Sequence, residues 1–470
     1  MRSLLNGGCF NKKKTNMKDT VKNITSFFES DYKDWAMSVL EERALPSVID
    51  GFKPTARKVV HSANVGSLKD GKLYKLLALS GDAMKLSLYA HGDASLNGVI
   101  INLCKPFIDC LNPLESDSQV GTIRDPNSAG SPRYLYVKQS KWMEQIYKTD
   151  YNLLEFVFEE GQYVEPKYYL PIIPTVLCKN NIGVAVGYAM HNLSRNPIEV
   201  INACSEYIKT NDIKNAKLTP FVVGANNKNW WFEDGHWFHK GDYTIQPIKK
   251  QVTITDLPFD MNYENFEKIL NKLVETGFLK TWSNLSNGEQ IQYILTFVPE
   301  VFKNLKKTGK LEKTIETKLK LIKQAPDDLF WLLDENKKLI YFASAEAVVK
   351  YFVKFRLQIY EKRKSLTIEF LSKKLKENSD MINFIELIVS NKLKLKNRPK
   401  DDIKTDMDFY QLPINLINTP MAKLTKEEIE SLRNQNKEIS EKLNYIKTTS
   451  IEEMYLNDLD ELKKSLKSNF

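Results

Sequence analysis

The chain contains no run of about 18 apolar residues, so no segment has the length and character of a membrane-spanning helix. Its five cysteines (Cys9, Cys104, Cys110, Cys178 and Cys204) are an odd number with no C-x-x-C pair. That argues against a disulfide framework or a zinc site and for a reducing compartment. The five histidines (His61, His91, His191, His236 and His239) are scattered as well. His236 and His239 are near neighbours but have no Cys or carboxylate cluster at metal-ligand spacing, so they read as core or surface residues. The stretch Met1 to Lys14 has three lysines with no apolar segment behind them, which is the pattern of a solvated tail rather than a secretory leader. No glycine-rich nucleotide loop is evident.

What is present is a globular composition: 470 residues, 42% hydrophobic and 27% charged. That length exceeds what one core usually supports, so two or three domains are expected. The formal charge of +9 is a weak pointer to a polyanion over so long a chain. Its distribution says more, because Lys and Arg gather at 53–58, at 303–323 and along the C-terminal helices.

Four stretches can be read. Residues 1–25 form an N-terminal extension expected to be disordered. Residues 26–165 are mainly helical in pattern. Ala36, Met37, Val39 and Leu40 make an apolar helix face that ends at Pro46, and Gly51 to Pro54 is a turn before a helix from Thr55. Leu76–Leu88 and Ala94–Leu103 are two helices about a Gly-containing turn, compatible with a helix-turn-helix. Residues 166–343 are α/β. Trp230-Trp231-Phe232 and His236-Trp237-Phe238 flank Asp234-Gly235 as a hairpin, whose aromatic rings are expected to pack across the strands. Gln251–Thr255 and Ile291–Val298 are strands about an amphipathic helix, Tyr263–Thr276. In 344–470 an apolar stripe predicts a long helix over Ala345–Lys376, and Thr425 with Glu428 caps a second one. Two long helices about a compact insert predict an antiparallel arm with a small globular tip.

Several motifs then occur in a fixed order. They are Arg43-Ala44-Leu45-Pro46-Ser47-Val48-Ile49-Asp50-Gly51-Phe52-Lys53-Pro54 with Arg57-Lys58-Val59 after it; His91-Gly92-Asp93; Ser131-Pro132-Arg133-Tyr134; Pro171-Ile172-Ile173-Pro174; and Gly183-Val184-Ala185-Val186-Gly187. In these motifs and their spacing the chain resembles the breakage-and-reunion part of type IIA DNA topoisomerases. This group holds the gyrase A proteins and eukaryotic topoisomerase II. Ser116 to Arg124 departs from the gyrase pattern and looks closer to the eukaryotic and T-even bacteriophage branches. The layout is similar to the medium subunit of the phage enzymes.

The resemblance implies a multidomain fold, mainly α with α+β parts. It would comprise a winged-helix (helix-turn-helix) domain at 26–165, an α/β tower at 166–343, and a coiled-coil arm with a dimerisation gate at 344–470. It implies Tyr134 as the nucleophile and Arg133 as the stabiliser of the transition state. A phenol has a pKa of ~10 and needs neighbouring cations to ionise and to carry the extra phosphoryl charge. It implies double-stranded DNA held by Arg43, Lys53, Arg57, Lys58, His91, Asp93 and Ser95, with Asp93 also suited to capping its helix. Val184 stands where the family carries an apolar wedge, usually Ile, that bends DNA. The D-x-D triplets Asp406-Met407-Asp408 and Asp458-Leu459-Asp460 lie in helical sequence, so no metal ligand is expected in this chain. Mg²⁺ and ATP are expected on a separate subunit or subunits carrying Toprim and ATPase domains. A homodimer in the cytoplasm (the host's, if the chain is viral) completes the expectation. A tyrosine recombinase is excluded by the lack of any H-x-x-R, and a non-cleaving DNA-binding scaffold is the surviving rival.

Overall fold

The computed structural model describes residues 23–467 except 67, 69–70, 288–289, 396–397 and 421–423. The N-terminal tail, with Cys9 and Lys12 to Lys14, therefore lies outside the described residues. Helical turns run from Ile24 to Ala44, and the chain turns extended at Leu45, as the residue before a proline must. Three helices follow, Pro54–Val65, Leu76–Leu86 and Asp93–Leu103. They pack with a three-stranded antiparallel sheet in which Tyr136–Gln139 lies between Tyr74–Lys75 and Leu114–Glu115. Val59, Val60, Leu79, Ala83, Leu96, Ile100, Leu135 and Val137 are buried together here.

The compositional boundary at 165/166 is not a boundary in this core. Asn181–Ala185, Tyr188–Asn192, Leu329–Leu333 and Leu339–Phe342 form one four-stranded sheet, although its two halves lie far apart in the chain. Met190, Phe330, Leu332 and Phe342 bury into the same core as Leu45 and Val48. The backbone joins the two parts, with Val48 N donating to Leu333 O at 2.9 Å and Leu333 N to Pro46 O at 3.1 Å. Of the expected 166–343 unit, the middle builds a large core separate from this one. There the sheet of Tyr243–Gln246, Gln251–Ile254, Tyr293–Phe297 and Leu279–Asn284 packs with the helices Tyr263–Glu275, Pro299–Lys307 and Leu311–Lys318.

The aromatic hairpin is present as Trp230–Glu233 and His236–Lys240. Asp234 and Gly235 both have positive φ, 49° and 85°, which the tight turn between right-twisted strands requires. Trp231 stacks on Phe238 at 5.4 Å across the strands, the packing expected of the rings.

The Ala345–Val389 helix has 45 residues, so it is about 68 Å long at 1.5 Å per residue. It runs past the expected Lys376 because no Pro or Gly interrupts it and Ile382, Phe384 and Ile385 renew its apolar side. Thr425 Oγ1 accepts from Glu428 N and starts Lys426–Thr448, as the sequence indicates. The two helices are antiparallel. Glu386 pairs with Arg433, Ser379 with Asn436, and Lys364 with the carbonyl of Thr449. Ile382, Ile385, Ile429 and Leu432 fill the seam, and Phe384, Leu393, Ile403, Met407 and Leu412 fill the tip.

The last helix, Ile451–Leu466, departs from the expected 344–470 arm and returns to the first core. Tyr455 stacks on Tyr360 at 4.7 Å and its hydroxyl donates to Ile172 O at 2.7 Å. Its buried residues Tyr455, Leu459, Leu462 and Leu466 recur every three or four positions, so one face must be covered, and the first body covers it. Among the described residues no helix is long and apolar enough to cross a membrane.

Candidate active site

Pro132 begins a single 3-10 turn, Pro132–Tyr134, with Tyr134 N donating to Ser131 O at 2.9 Å. Leu135 is buried in the main core directly after it, and its carbonyl accepts from Leu76 N at 3.0 Å. Ser118 Oγ accepts from Tyr136 N at 3.1 Å, and Ser116 Oγ donates to Tyr136 O at 2.5 Å. The turn therefore stands on an anchored base. Above that base the Tyr134 side chain reaches solvent, with the residue 66% exposed. The Arg133 guanidinium carbon lies 4.8 Å from the centroid of its ring, within cation–π range.

A second group of the expected residues converges elsewhere on this body. Arg43, Lys53, His91 and Ser95 line one cleft of about 670 Å³, together with Asn102, Asp109, Lys179 and Ile182. Arg133 and Tyr134 are not among its lining residues. Arg43 sits in the last turn before Pro46, and Lys53 immediately precedes the Pro54–Val65 helix. Lys53 Nζ donates to Ile182 O at 3.0 Å, and partial burial lowers its pKa. His91 is exposed and meets Tyr89 edge-on at 5.5 Å.

Two glycines make this cleft possible. Gly51 has φ +65°, and a Cβ there would stand 2.7 Å from Val176 Cα. At Gly183 a Cβ would stand 2.2 Å from Ala44 O, so only glycine lets this strand pass the end of the first helical stretch.

Two of the expected phosphate contacts point inward instead. Arg57 is buried, with Nε and Nη2 2.8 and 2.9 Å from the two oxygens of Asp50, and Nη2 also reaches Phe52 O at 3.0 Å. Asp50 further accepts from the backbone N of Phe52 and of Tyr169, each at 3.0 Å. A guanidinium held this way supports the turn carrying Lys53, and Arg57 is not among the residues lining the cleft. Lys58 donates to Ser87 O at 2.7 Å and Glu165 Oε2 at 3.0 Å, which uses its charge inside the body. Asp93 is the first residue of its helix, and the capping position before it is Gly92. Its carboxylate still complements the helix dipole.

Val184 is 74% exposed, and Ile182, two residues back on the same strand face, is exposed as well. Together they form an apolar edge running out from the cleft, before the tight turn at Val186 and Gly187.

Four residues have roles that only the packing shows. Asp50 lies within the first motif, which by itself assigns it none. Asp109 and Lys179 form a buried pair at 3.0 Å, with Lys179 Nζ 3.4 Å from the Phe52 ring centroid. Burial lowers the Lys179 pKa against the pull of Asp109. A lone lysine in the apolar run from Ile172 to Val186 is the signal the sequence offers for it. Arg124 is the fourth, and its partners are far away in sequence. Among the described residues no group of three or more His, Cys, Asp or Glu is placed to hold a metal ion. Asp406 and Asp458 are on helices and bonded by Arg398 and Arg363.

The mitochondrial DNA topoisomerase 2 of Dictyostelium discoideum is 27% identical over 96% of this chain and 36% of its own length. The DNA topoisomerase medium subunit of Enterobacteria phage T4 is 25% identical over 94% of this chain and 99% of its own. The chain thus spans about a third of the Dictyostelium relative and nearly all of the phage one. The crystal structure of the Plasmodium falciparum topoisomerase II DNA-binding, cleavage and re-ligation domain superposes with a TM-score of 0.79 at 24% identity, a likeness of fold. It covers 92% of this chain and 64% of that one. The family model for the A-type subunit of DNA gyrase/topoisomerase IV matches residues 43–463, which takes in the cleft, the Tyr134 turn and the helical arm, and the chain belongs to that family.

Proposed function

We propose that this chain is the DNA-cleaving and religating subunit of an ATP-dependent type II topoisomerase, with Tyr134 as the nucleophile. One observation carries the reading: an exposed tyrosine on an anchored turn, with an arginine guanidinium against its ring. In the forward step the Tyr134 oxygen bonds to a backbone phosphorus as the P–O3′ bond breaks. The phenol proton leaves to solvent and the 3′ oxygen takes one up. The product is a 5′-phosphotyrosyl ester that the 3′ hydroxyl reverses without outside energy. Arg133 stabilises the added negative charge at the transition state. Arg43, Lys53, His91 and Ser95 hold flanking phosphates, while Val184 with Ile182 offers the apolar edge for bending the duplex.

In this reading the three helices and small sheet are a winged helix, the 243–321 core belongs to the tower, and the helix pair is a coiled-coil arm. The arm's tip, where Phe409 is exposed, is the homodimer contact. Mg²⁺ and ATP are bound by separate cytoplasmic subunits. The near-complete overlap with the phage medium subunit supports that division.

The test is covalent trapping. The chain and a duplex are mixed with the partner subunit, then quenched with denaturant. Wild type should leave a protein–DNA adduct, and Tyr134→Phe should leave none. An undiminished adduct from Tyr134→Phe overturns the assignment. DNA binding without adduct from either protein is the result a non-cleaving scaffold would give.

A further inference from the structure

The Tyr134 turn is continuous with a loop, residues 116–131, whose outer end is fastened to the other body. The neck closes through Gly130 N donating to Gln119 O at 2.9 Å. At the tip, Thr122 and Asp125 exchange backbone bonds of 3.0 and 3.1 Å, and this tight turn presents Ile123 and Arg124. Ile123 packs against the cluster of Leu193, Val222, Phe259 and Ala325.

Arg124 is buried and reaches four acceptors in one short segment. Nη1 donates to Pro258 O at 2.7 Å and Met261 O at 3.1 Å. Nη2 donates to Asp256 Oδ1 at 2.8 Å and Leu257 O at 2.9 Å. The Arg124 carbonyl in turn accepts from Tyr263 N at 3.1 Å, where the Tyr263–Glu275 helix begins. His239, also buried, holds the same segment by accepting from Phe259 N at 3.1 Å.

We infer that Arg124 is a positioning residue for Tyr134, setting the nucleophile's place by tying its loop to the 256–263 segment of the second body. Burying a guanidinium costs several kcal/mol unless its donors are met. Here both Nη groups are met within this one segment while Nε has no partner among the described residues, so the anchoring depends on these four bonds together. The planar fork suits carbonyls spread around one turn, which a lysine ammonium meets less well. Because Leu135 pins the loop's inner end and Arg124 its outer end, a shift of the second body is passed to the residues between. A displacement of ~1 Å at a reacting group is enough to change a rate by ~10²-fold.

This inference rests on Tyr134 being the nucleophile, and the experiment separates the two. With partner subunits present, single-turnover adduct formation and duplex Kd are measured for wild type, Arg124→Ala, Arg124→Lys and Asp256→Asn. Arg124→Ala should slow adduct formation about tenfold or more with duplex Kd within about twofold of wild type. Arg124→Lys should recover part of the rate, and Asp256→Asn should show a smaller slowing. If Arg124→Ala does not fold, the Lys and Asn variants carry the same comparison. Wild-type rates from the folded variants overturn the positioning role alone. Absence of adduct from wild type overturns the nucleophile assignment and this inference with it.

Discussion

Asp50 and Arg57 meet through both carboxylate oxygens, at 2.8 and 2.9 Å, beneath the turn that carries Lys53. The pair is buried, so removing either partner strands a charge, which typically costs about 3–5 kcal/mol. Arg57→Ala and Asp50→Ala should therefore lower the urea midpoint strongly. Arg57→Ala should leave the salt dependence of DNA binding unchanged where it still folds. A weakened salt slope would return Arg57 to the phosphate-contacting set.

Arg43 and Lys53 should behave in the opposite way. Each lines the cleft, so truncation to Ala should reduce the slope of log K against log salt by about one unit and leave the unfolding midpoint nearly unchanged. Filter binding over a salt series reads this directly. Lys53→Ala is the more demanding case, because its bond to Ile182 O is lost as well.

Arg133→Ala should lower the rate of adduct formation by about 10²–10³-fold, the usual loss when a donor aimed at developing charge is removed. Duplex affinity should change much less, since Arg43 and Lys53 in the cleft remain to hold phosphates. Quench-flow with a labelled duplex separates the two quantities. An affinity loss as large as the rate loss would make Arg133 a binding residue only.

His61 is buried edge-on to Phe156, and burial with the nearby Lys58 charge holds its pKa down to about 4. The folded protein keeps this imidazole neutral, while the unfolded chain protonates it near pH 6.5. Its contribution is complete above pH 6.5 and is lost as the pH falls from 6.5 to about 4, a change of about 3 kcal/mol. Urea unfolding at pH 7 and pH 4.5 should show a smaller difference in His61→Asn than in wild type. Equal differences would mean that other groups account for the acid sensitivity.

Local structure is legible in the sequence where one residue type decides it. The Asp234-Gly235 turn, the Thr425 cap and the stop at Pro46 each follow from backbone preferences within a few positions. The Ala345–Val389 helix exceeds the length its apolar stripe predicts because that stripe changes partners partway, from the main body to the helix Lys426–Thr448. The 165/166 boundary fails for a related reason. Strands such as Tyr188–Asn192 and Leu329–Leu333 find each other across an inserted body, and composition carries no record of that pairing.

The sequence by itself determined the family and the tyrosine proposed to react. Ser131-Pro132-Arg133 before it, within the family's order of motifs, singles out Tyr134, while its exposure and the contact of Arg133 with its ring come from the folded turn. Only the tertiary structure decided which cations remain available. Lys58 is claimed by Glu165, 107 residues away, and Arg124 by Asp256, 132 residues away, while Arg43 and Lys53 are left lining the cleft. A basic side chain looks the same in sequence whether it faces a phosphate or a buried carboxylate. Its role is settled by the long-range packing that brings the carboxylate, or fails to bring it, within reach.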